Sequence, residues 1–573
     1  MMGMRRVGML WLLAGIVLAG CAPAASQPVP VAQPGAAPQP PALAVKKRIT
    51  VAVRSEPPAL WGSVGASSAG AGPEWVVDLF NSDPIAFEPA GNPTALLAEA
   101  VPSLDNGSWK LFPDGHMETT VTIRQGAKWH DGMPITADDL IFGATVSKEF
   151  LELQLSTNYG STLFKDLQKL EARDERTVVA TWSQPFAQAD WLFSYLFGPA
   201  LPKHILEPSY LADKAGFTSL RFWSIEFVGN GPFVVREFVP GVHLQLTAFD
   251  DYVLGRPRID EIEVRYITDA NTLLANLLAG TVDLTLGQGL SIEQATRVQA
   301  GWAEGSVIYS PYFLTQAVGY PQFLNPDPPI QSSVQFRRAL AYAVDREALV
   351  QSIQAGVGSP SSALIASSGD DWDAIKSRVV DYPYDTRRAS QMIEDLGYAK
   401  GGDGIYHDAS NQPLKLALWA AAGDDVYDRT TLAVADMWQR LGIATEQNRV
   451  PGNADRSVMP TRPGLQMAAL RTEVDTRFLS SETPLPENSF RGGNRARYQS
   501  PELDGLLNRY FSTVPRPERQ QVLGDIVHYL GDQVVVIHLF YNATPQMMNK
   551  RLKNVTPRTS RSNAYNAHLW DVS

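Results

Sequence analysis

Among 573 residues there is one cysteine, Cys21. A single thiol excludes an intramolecular disulfide framework and any zinc or iron–sulfur site built from several cysteines. An excess of basic residues is also missing. The chain carries 49 Lys and Arg against 60 Asp and Glu, a formal net charge of −11. Nucleic acid is held mainly through Lys and Arg on its phosphates, so this balance argues against it, and equally against a basic surface adhering to anionic lipid. The 8 histidines are scattered without ligand spacing, and no metal site is expected. What is present is the composition of a globular protein, 44% hydrophobic and 19% charged. The chain is too long for one compact core, which predicts two or three lobes.

The N-terminus explains the lone thiol. Arg5 and Arg6 precede an almost wholly apolar run from Val7 to Leu18. About a dozen residues fall short of the roughly 20 that span a bilayer, but suit the core of a signal peptide. The run stops at Leu18-Ala19-Gly20-Cys21, which resembles the bacterial lipobox: an aliphatic residue and two small ones before the cysteine. The thiol is then expected to carry a diacylglycerol, with residues 1–20 removed as a signal peptide. No other cofactor is expected. More than one acyl chain anchors a protein stably. Residues 22–45 are uncharged and hold Pro28, Pro30, Pro34, Pro38, Pro40 and Pro41. Such a segment builds no core and reads as a semi-rigid tether. The folded body is expected to begin near Lys46.

Along the body, Arg48 to Val53 alternates as a strand, and Trp75 to Phe80 reads as a short helix. Val121 to Arg124 alternates again. In Trp129 to Leu140, Asp131-Gly132 marks a turn, and Thr136 with Asp139 three residues on is a capping box opening a helix. His130 beside Asp131 could suggest a catalytic or metal pair, but a turn-and-cap motif accounts for it. Gly229 and Gly231 precede a strand rather than a helix, so they read as tight-turn glycines and not as a nucleotide loop. Phe336, Ala339, Leu340, Ala343 and Val344 have helical spacing, and a helix is predicted to end at Gly442. Val534 to Ile537 reads as a buried strand returning to the first lobe.

Several of these stretches, in order, resemble the family 5 extracellular solute-binding proteins, the dipeptide, oligopeptide and nickel-binding group. They are Val121 to Phe142, Pro202 to Ile205, Val228 to Phe233 with Tyr252 to Ile262, Ala279 to Asp283, Phe336 to Val350, Leu396 to Tyr398 and Tyr498 to Leu507. The resemblance implies an α/β, two-lobed periplasmic-binding-protein fold, class II-like and enlarged by an inserted subdomain. The ligand cleft would lie between lobes joined by two crossing strands, near Tyr309 to Gln316 and Val536 to Tyr541. Mapped onto this chain, lobe I covers 46–85, 221–309 and 534–573, the inserted subdomain 86–220, and lobe II 310–533.

The resemblance also implies capture by hinge closure. Ligand touching both lobes stabilises the closed form by its differential affinity, with no chemistry performed. Expected partners are a small ligand of the oligopeptide or oligosaccharide class, the permease and ATPase subunits of an ABC importer, and the membrane through the lipid. The protein would stand outside the cytoplasm, as a monomer. In peptide-binding members an aspartate of lobe II pairs with the ligand's α-amino group. Aligned on Phe478-Leu479, Arg471 takes that place here, and a shift of one or two residues would bring in Glu473. An arginine in the cleft would suit a carboxylate, phosphate or polyol. Trp61, Tyr312, Phe313, Trp419, Tyr498 and Tyr541 lie in segments that border the cleft in relatives, and Gln288 is a candidate polar contact. Two other classes share the sequence: a surface receptor that senses ligand without transport, and a hydrolase using paired acids among Asp370, Asp371, Asp373, Glu473 and Asp475. For the second, only the abundance of acids speaks.

Overall fold

The structure is a computed structural model. It describes residues 46–57, 59–60, 76–88, 91–152, 164–195, 197–287, 289–310, 315–422, 424–451, 454–455, 457–556 and 564–573. Residues 46–573 form one compact unit. The expected signal peptide, lipobox and tether lie outside the described residues.

The body opens with strand β1 (Arg48–Val53), whose apolar residues Ile49, Val51 and Val53 are buried. An antiparallel four-stranded sheet follows, made of β2 (Trp109–Leu111), β3 (Met117–Thr122), β4 (Leu167–Ala172) and β5 (Thr177–Trp182), in the order β2-β3-β5-β4. It carries helix α1 (Ala137–Glu152), and α2 (Lys203–Ala212) comes after it. The chain then returns beside β1 with β6 (Phe233–Val239), β7 (His243–Ala248), β8 (Glu261–Tyr266), β9 (Leu284–Thr285) and β10 (Gly305–Tyr309).

A six-stranded sheet begins with β11 (Thr315–Pro321). Helices α3 (Val334–Tyr342) and α4 (Arg346–Gln354) follow, separated at Asp345, whose carboxylate caps α4 by accepting the Ala348 N–H at 2.9 Å. The apolar spacing from Phe336 to Val350 is therefore shared by two helices. Next come β12 (Ser359–Pro360), β13 (Lys415–Ala421), α5 (Asp425–Leu441), β14 (Ala444–Val450) and β15 (Leu465–Arg471). The hairpin of α6 (Pro501–Ser512) and α7 (Arg516–Asp532) covers one face of this sheet. Strands β16 (Ile537–Tyr541) and β17 (Pro545–Asn549) end the pattern.

The six-stranded order is β12-β16-β11-β15-β13-β14, and a seven-stranded sheet runs β10-β17-β9-β1-β8-β7-β6. Both sheets have parallel centres: β1 is parallel to β8 and β9, and β13 to β14 and β15. The chain passes between the sheets twice, from Tyr309 to Thr315 and from Tyr541 to Pro545. One expectation is corrected here. Val534 to Val536 is buried but not a strand, and Val534 sits at φ 45°, in the left-handed region. The strand begins at Ile537 and pairs with β11, so residues 534–541 belong with the six-stranded sheet and the first lobe resumes only after Tyr541. An apolar run without a Gly, Pro or Asn gives no sign of the turn at its start.

The two glycines before β6 work by close approach. A Cβ on Gly229 would stand 2.0 Å from the Phe80 carbonyl oxygen, and one on Gly231 2.5 Å from the Asn81 nitrogen. Neither could be accommodated without moving backbone. His130 secures the same junction, its Nε2–H donating to the Gly231 carbonyl at 2.9 Å. Burial holds that imidazole neutral, its pKa lowered to about 4. Asp131 does not pair with His130; it accepts from His204 at 2.7 Å. The capping box is real but modified. Asp139 accepts the Thr136 N–H at 2.8 Å, the Thr136 hydroxyl at 3.0 Å, and the Lys203 N–H at 2.9 Å.

Candidate functional site

Strand directions locate the site. In open α/β sheets, ligands bind at the carboxyl ends of parallel strands. In the seven-stranded sheet those ends are Val53, Tyr266 and Thr285; in the six-stranded sheet they are Ala421, Val450 and Arg471. Both chain crossings leave and enter at the same rims, because Tyr309 pairs with Pro545 on one sheet and Thr315 pairs with Arg471 on the other. The two carboxyl rims therefore meet at the crossings, and the space between them is the candidate cleft.

The crossings are rooted in the six-stranded lobe by a buried polar network. The side-chain amide of Gln316 donates to the Ala363 and Leu364 carbonyls, each at 3.1 Å. Its oxygen accepts from the Ser361 hydroxyl and from His538 Nδ1, the latter at 2.7 Å. Burial, with Arg346 adding repulsion, lowers the His538 pKa to about 3, so the ring is neutral across the ordinary pH range. Arg346 in turn donates to the carbonyls of His538 at 2.8 Å and Tyr382 at 2.9 Å. A small cavity lined by Arg346, Tyr382, Val536 and His538 lies within this lobe rather than between the sheets. At the second crossing, the Asn542 amide donates to the Tyr427 hydroxyl at 3.1 Å and its backbone N–H to the Thr315 carbonyl at 2.9 Å. The Asn542 side-chain oxygen is enclosed and, among the described residues, has no hydrogen-bond partner. Asp424 caps α5 there; burial raises its pKa against the pull of the Val426 and Tyr427 N–H groups.

The expected site residues scatter. Trp61, Gln288, Tyr312 and Phe313 lie outside the described residues, as does Cys21. Arg471 ends β15 at the rim, 39% exposed, with Glu473 3.8 Å away. Trp419 pairs with Gln466, five residues back along the same strand. At about 3.3 Å per residue that is on the order of 16 Å from Arg471. The two also point to opposite faces, since side chains alternate and Leu418 and Met467 both sit in the core that Trp419 faces away from. The Trp419 indole donates to the Pro463 carbonyl at 2.8 Å, with Arg462 over its ring. Tyr498 packs on Phe323 at 4.6 Å and shares its hydroxyl with Tyr529 at 3.0 Å. Tyr541 is 2% exposed and donates to the Ile365 carbonyl at 3.0 Å. The geometry of these two tyrosines is that of packing residues. Of the expected set, Arg471 and Glu473 are brought together at the rim. Gln316, His538 and Asn542 went unnoticed in the sequence, although a histidine inside the run Val534 to Tyr541 is a visible polar interruption. Among the described residues, no group of three or more His, Cys, Asp or Glu is placed to hold a metal.

Comparison with known proteins agrees with this geometry. The model for bacterial extracellular solute-binding proteins, family 5, matches residues 99–477. The oligopeptide-binding protein AppA of Bacillus subtilis is 25% identical over 501 residues, covering 83% of this chain and 82% of that one. The probable D,D-dipeptide-binding periplasmic protein DdpA of Escherichia coli is 25% identical over 455 residues, covering 78% and 80%. In structure, the chain is similar to AppA in complex with a nonapeptide, with TM-score 0.69 and 21% identity over 92% of this chain and 99% of that one. It is also similar to NikZ of Campylobacter jejuni in complex with Ni(L-His), with TM-score 0.73 and 20% identity over the same shares, 92% and 99%. With the matched region spanning most of the body and both lobes in place, the chain belongs to the bacterial extracellular solute-binding proteins of family 5.

Proposed function

We propose that this chain is the extracytoplasmic solute-binding component of an ABC importer, capturing a small ligand between its lobes and handing it to the permease. The observation that carries the reading is the meeting of two carboxyl rims at paired crossings. A ligand bridging those rims stabilises the closed form in proportion to its preference for it. The α/β lobes need perform no reaction, and the scattered acids are engaged structurally: Asp371 pairs with Arg516 at 3.0 Å, and Asp475 is held by Arg477. A lipid on Cys21 would keep the body beside its permease, and a monomer suffices for this role.

Peptide is the first ligand class, supported by the names of the relatives. Arg471 favours a second reading, an anionic or polyol ligand such as an oligosaccharide, because a cation at the rim opposes an incoming ammonium. Mass spectrometry of the solute that co-purifies with the full chain, followed by calorimetry with that solute, tests the proposal. A peptide or glycan bound in one-to-one ratio is the expected result. Failure to bind any member of a peptide mixture or a glycan panel overturns it. Under the second reading, Arg471→Asp weakens the native ligand by tenfold or more, whereas an unchanged affinity places Arg471 outside the site.

A further inference from the structure

The four-stranded sheet is joined covalently to the seven-stranded lobe at both ends, through β1 before it and β6 after it. Its contacts with the six-stranded lobe are non-covalent. They part if the four-stranded sheet travels with the seven-stranded lobe as the cleft opens. One of them seats the segment Phe186–Trp191 on the α6–α7 hairpin. The Ala187 N–H donates to the Phe511 carbonyl at 2.6 Å, and Phe186, Ala189, Phe511, Val514 and Val522 share one apolar cluster. A second contact joins the Asn92 amide to Asp370 at 2.8 Å.

Asp190 lies in the middle of the seated segment. Asp190 is half-buried as a whole, but one of its carboxylate oxygens is enclosed and, among the described residues, has no hydrogen-bond partner. The charged and titratable groups around it come from four places. Tyr510 faces it from α6 and Arg519 from α7, while Asp371 and Glu473 reach the same tyrosine. Each of the others is engaged. Arg519 donates to the Val514 carbonyl at 3.0 Å, Asp371 accepts from Arg516 and Gln520, and Glu473 has Arg471 beside it. Arg519 attracts the carboxylate through its charge, while its hydrogen bond goes to Val514, just beyond α6.

We propose that Asp190 is a positioning residue for closure: the lobes shut by seating it on the α6–α7 hairpin, and it takes one proton from solvent as they do. The inference rests on the solute-capture reading for the opening motion itself. Burial outweighs the pull of Arg519 and raises this carboxyl to about 7 in the seated form. Exposed in the open form, it returns to the ordinary value of about 3.9. The seated form binds the proton more tightly, so acidification favours closure. For one such group, the closing equilibrium falls about tenfold between pH 6 and pH 8.

Hydrogen exchange at the Ala187 amide reads this equilibrium without any ligand, because that N–H is protected only while it bonds to Phe511. After correction for the intrinsic pH dependence of exchange, its protection is expected to fall about tenfold from pH 6 to pH 8 in the full chain. In Asp190→Asn the fall disappears. In Arg519→Gln it moves to higher pH. Thr120, whose N–H bonds within its own sheet region to Ser108 at 2.7 Å, keeps constant protection and reports that each variant is folded. A flat profile for Ala187 in the unmodified chain, or an undiminished fall in Asp190→Asn, overturns the proposal. Calorimetry with the peptide mixture on the same samples judges solute capture separately, so the two can fail independently.

Discussion

Asp83 is 7% exposed, and among the described residues one of its carboxylate oxygens lacks a hydrogen-bond partner. Burial, with Asp78 adding repulsion, raises its pKa well above the usual carboxylate range; the Tyr195 N–H only partly offsets this. A carboxyl whose folded pKa is raised weakens the fold above its unfolded pKa and costs nothing below it. Asp83→Asn is therefore expected to raise the melting temperature by several degrees at pH 7.5, with the gain vanishing near pH 3.5. Calorimetric scans at the two pH values check it. Arg337 presents the opposite case. It is 3% exposed and, among the described residues, donates to carbonyls: Gln331 at 2.9 Å, Ser332 at 2.8 Å, Gln533 at 2.7 Å and Val534 at 3.2 Å, with its plane over Phe323 at 4.6 Å. Two of these carbonyls follow directly on α7, where the helix dipole favours a cation. Lysine carries the charge but not the fork. Arg337→Lys is expected to cost about 3 kcal/mol in denaturant unfolding, the scale for breaking a buried charged network.

At the scale of elements, the crowding at Gly231 makes a sharp prediction. Gly231→Ala must displace the Phe80–Asn81 backbone, and about 3 kcal/mol or more is expected, the range for overpacking against groups that cannot yield. Loss of soluble protein, or a lowered urea midpoint, registers it; a neutral effect would mean that the junction is looser than its contacts imply. Gly442 closes α5 in the left-handed region at φ 112°, a conformational need to which the Gly404 carbonyl oxygen, 2.9 Å from a Cβ there, adds crowding. The cap at Gly442 was legible in the sequence, as were β1 and the Thr136–Asp139 cap, because their signals lie within a few residues. Gly231 was expected to serve a tight turn, and the crowding that holds it comes instead from Phe80 and Asn81, far back in the chain. What was not legible comes from distance. Gln316 and His538 stand 222 residues apart in sequence, and nothing near either one announces the bond between them. The turn at Val534 was missed for a related reason: tertiary packing holds a valine where its own preference would not. Trp419 and Arg471 had the right chemistry for a cleft, but strand register, which no single strand reveals, puts them on opposite faces.

At the scale of the whole molecule, the proposed anchor can be tested apart from the two-lobed body. If Cys21 carries the lipid, Cys21→Ser is expected to move the protein from the membrane to the soluble fraction of the producing cell and to abolish labelling by a palmitate analogue. Continued labelling would disprove the anchor. The substitution changes no residue of the body, which begins at Lys46. The position of β17 has a further consequence, in time rather than in space. It is the last strand of its sheet to be made, yet it lies between β10 and β9, not at an edge. Until residues 545–549 have left the ribosome, β10 has no partner and the seven-stranded sheet cannot close. A chain that completes its first lobe only with residues 545–549 is expected to leave that sheet open through most of its synthesis, and an open sheet can still be threaded through a narrow channel.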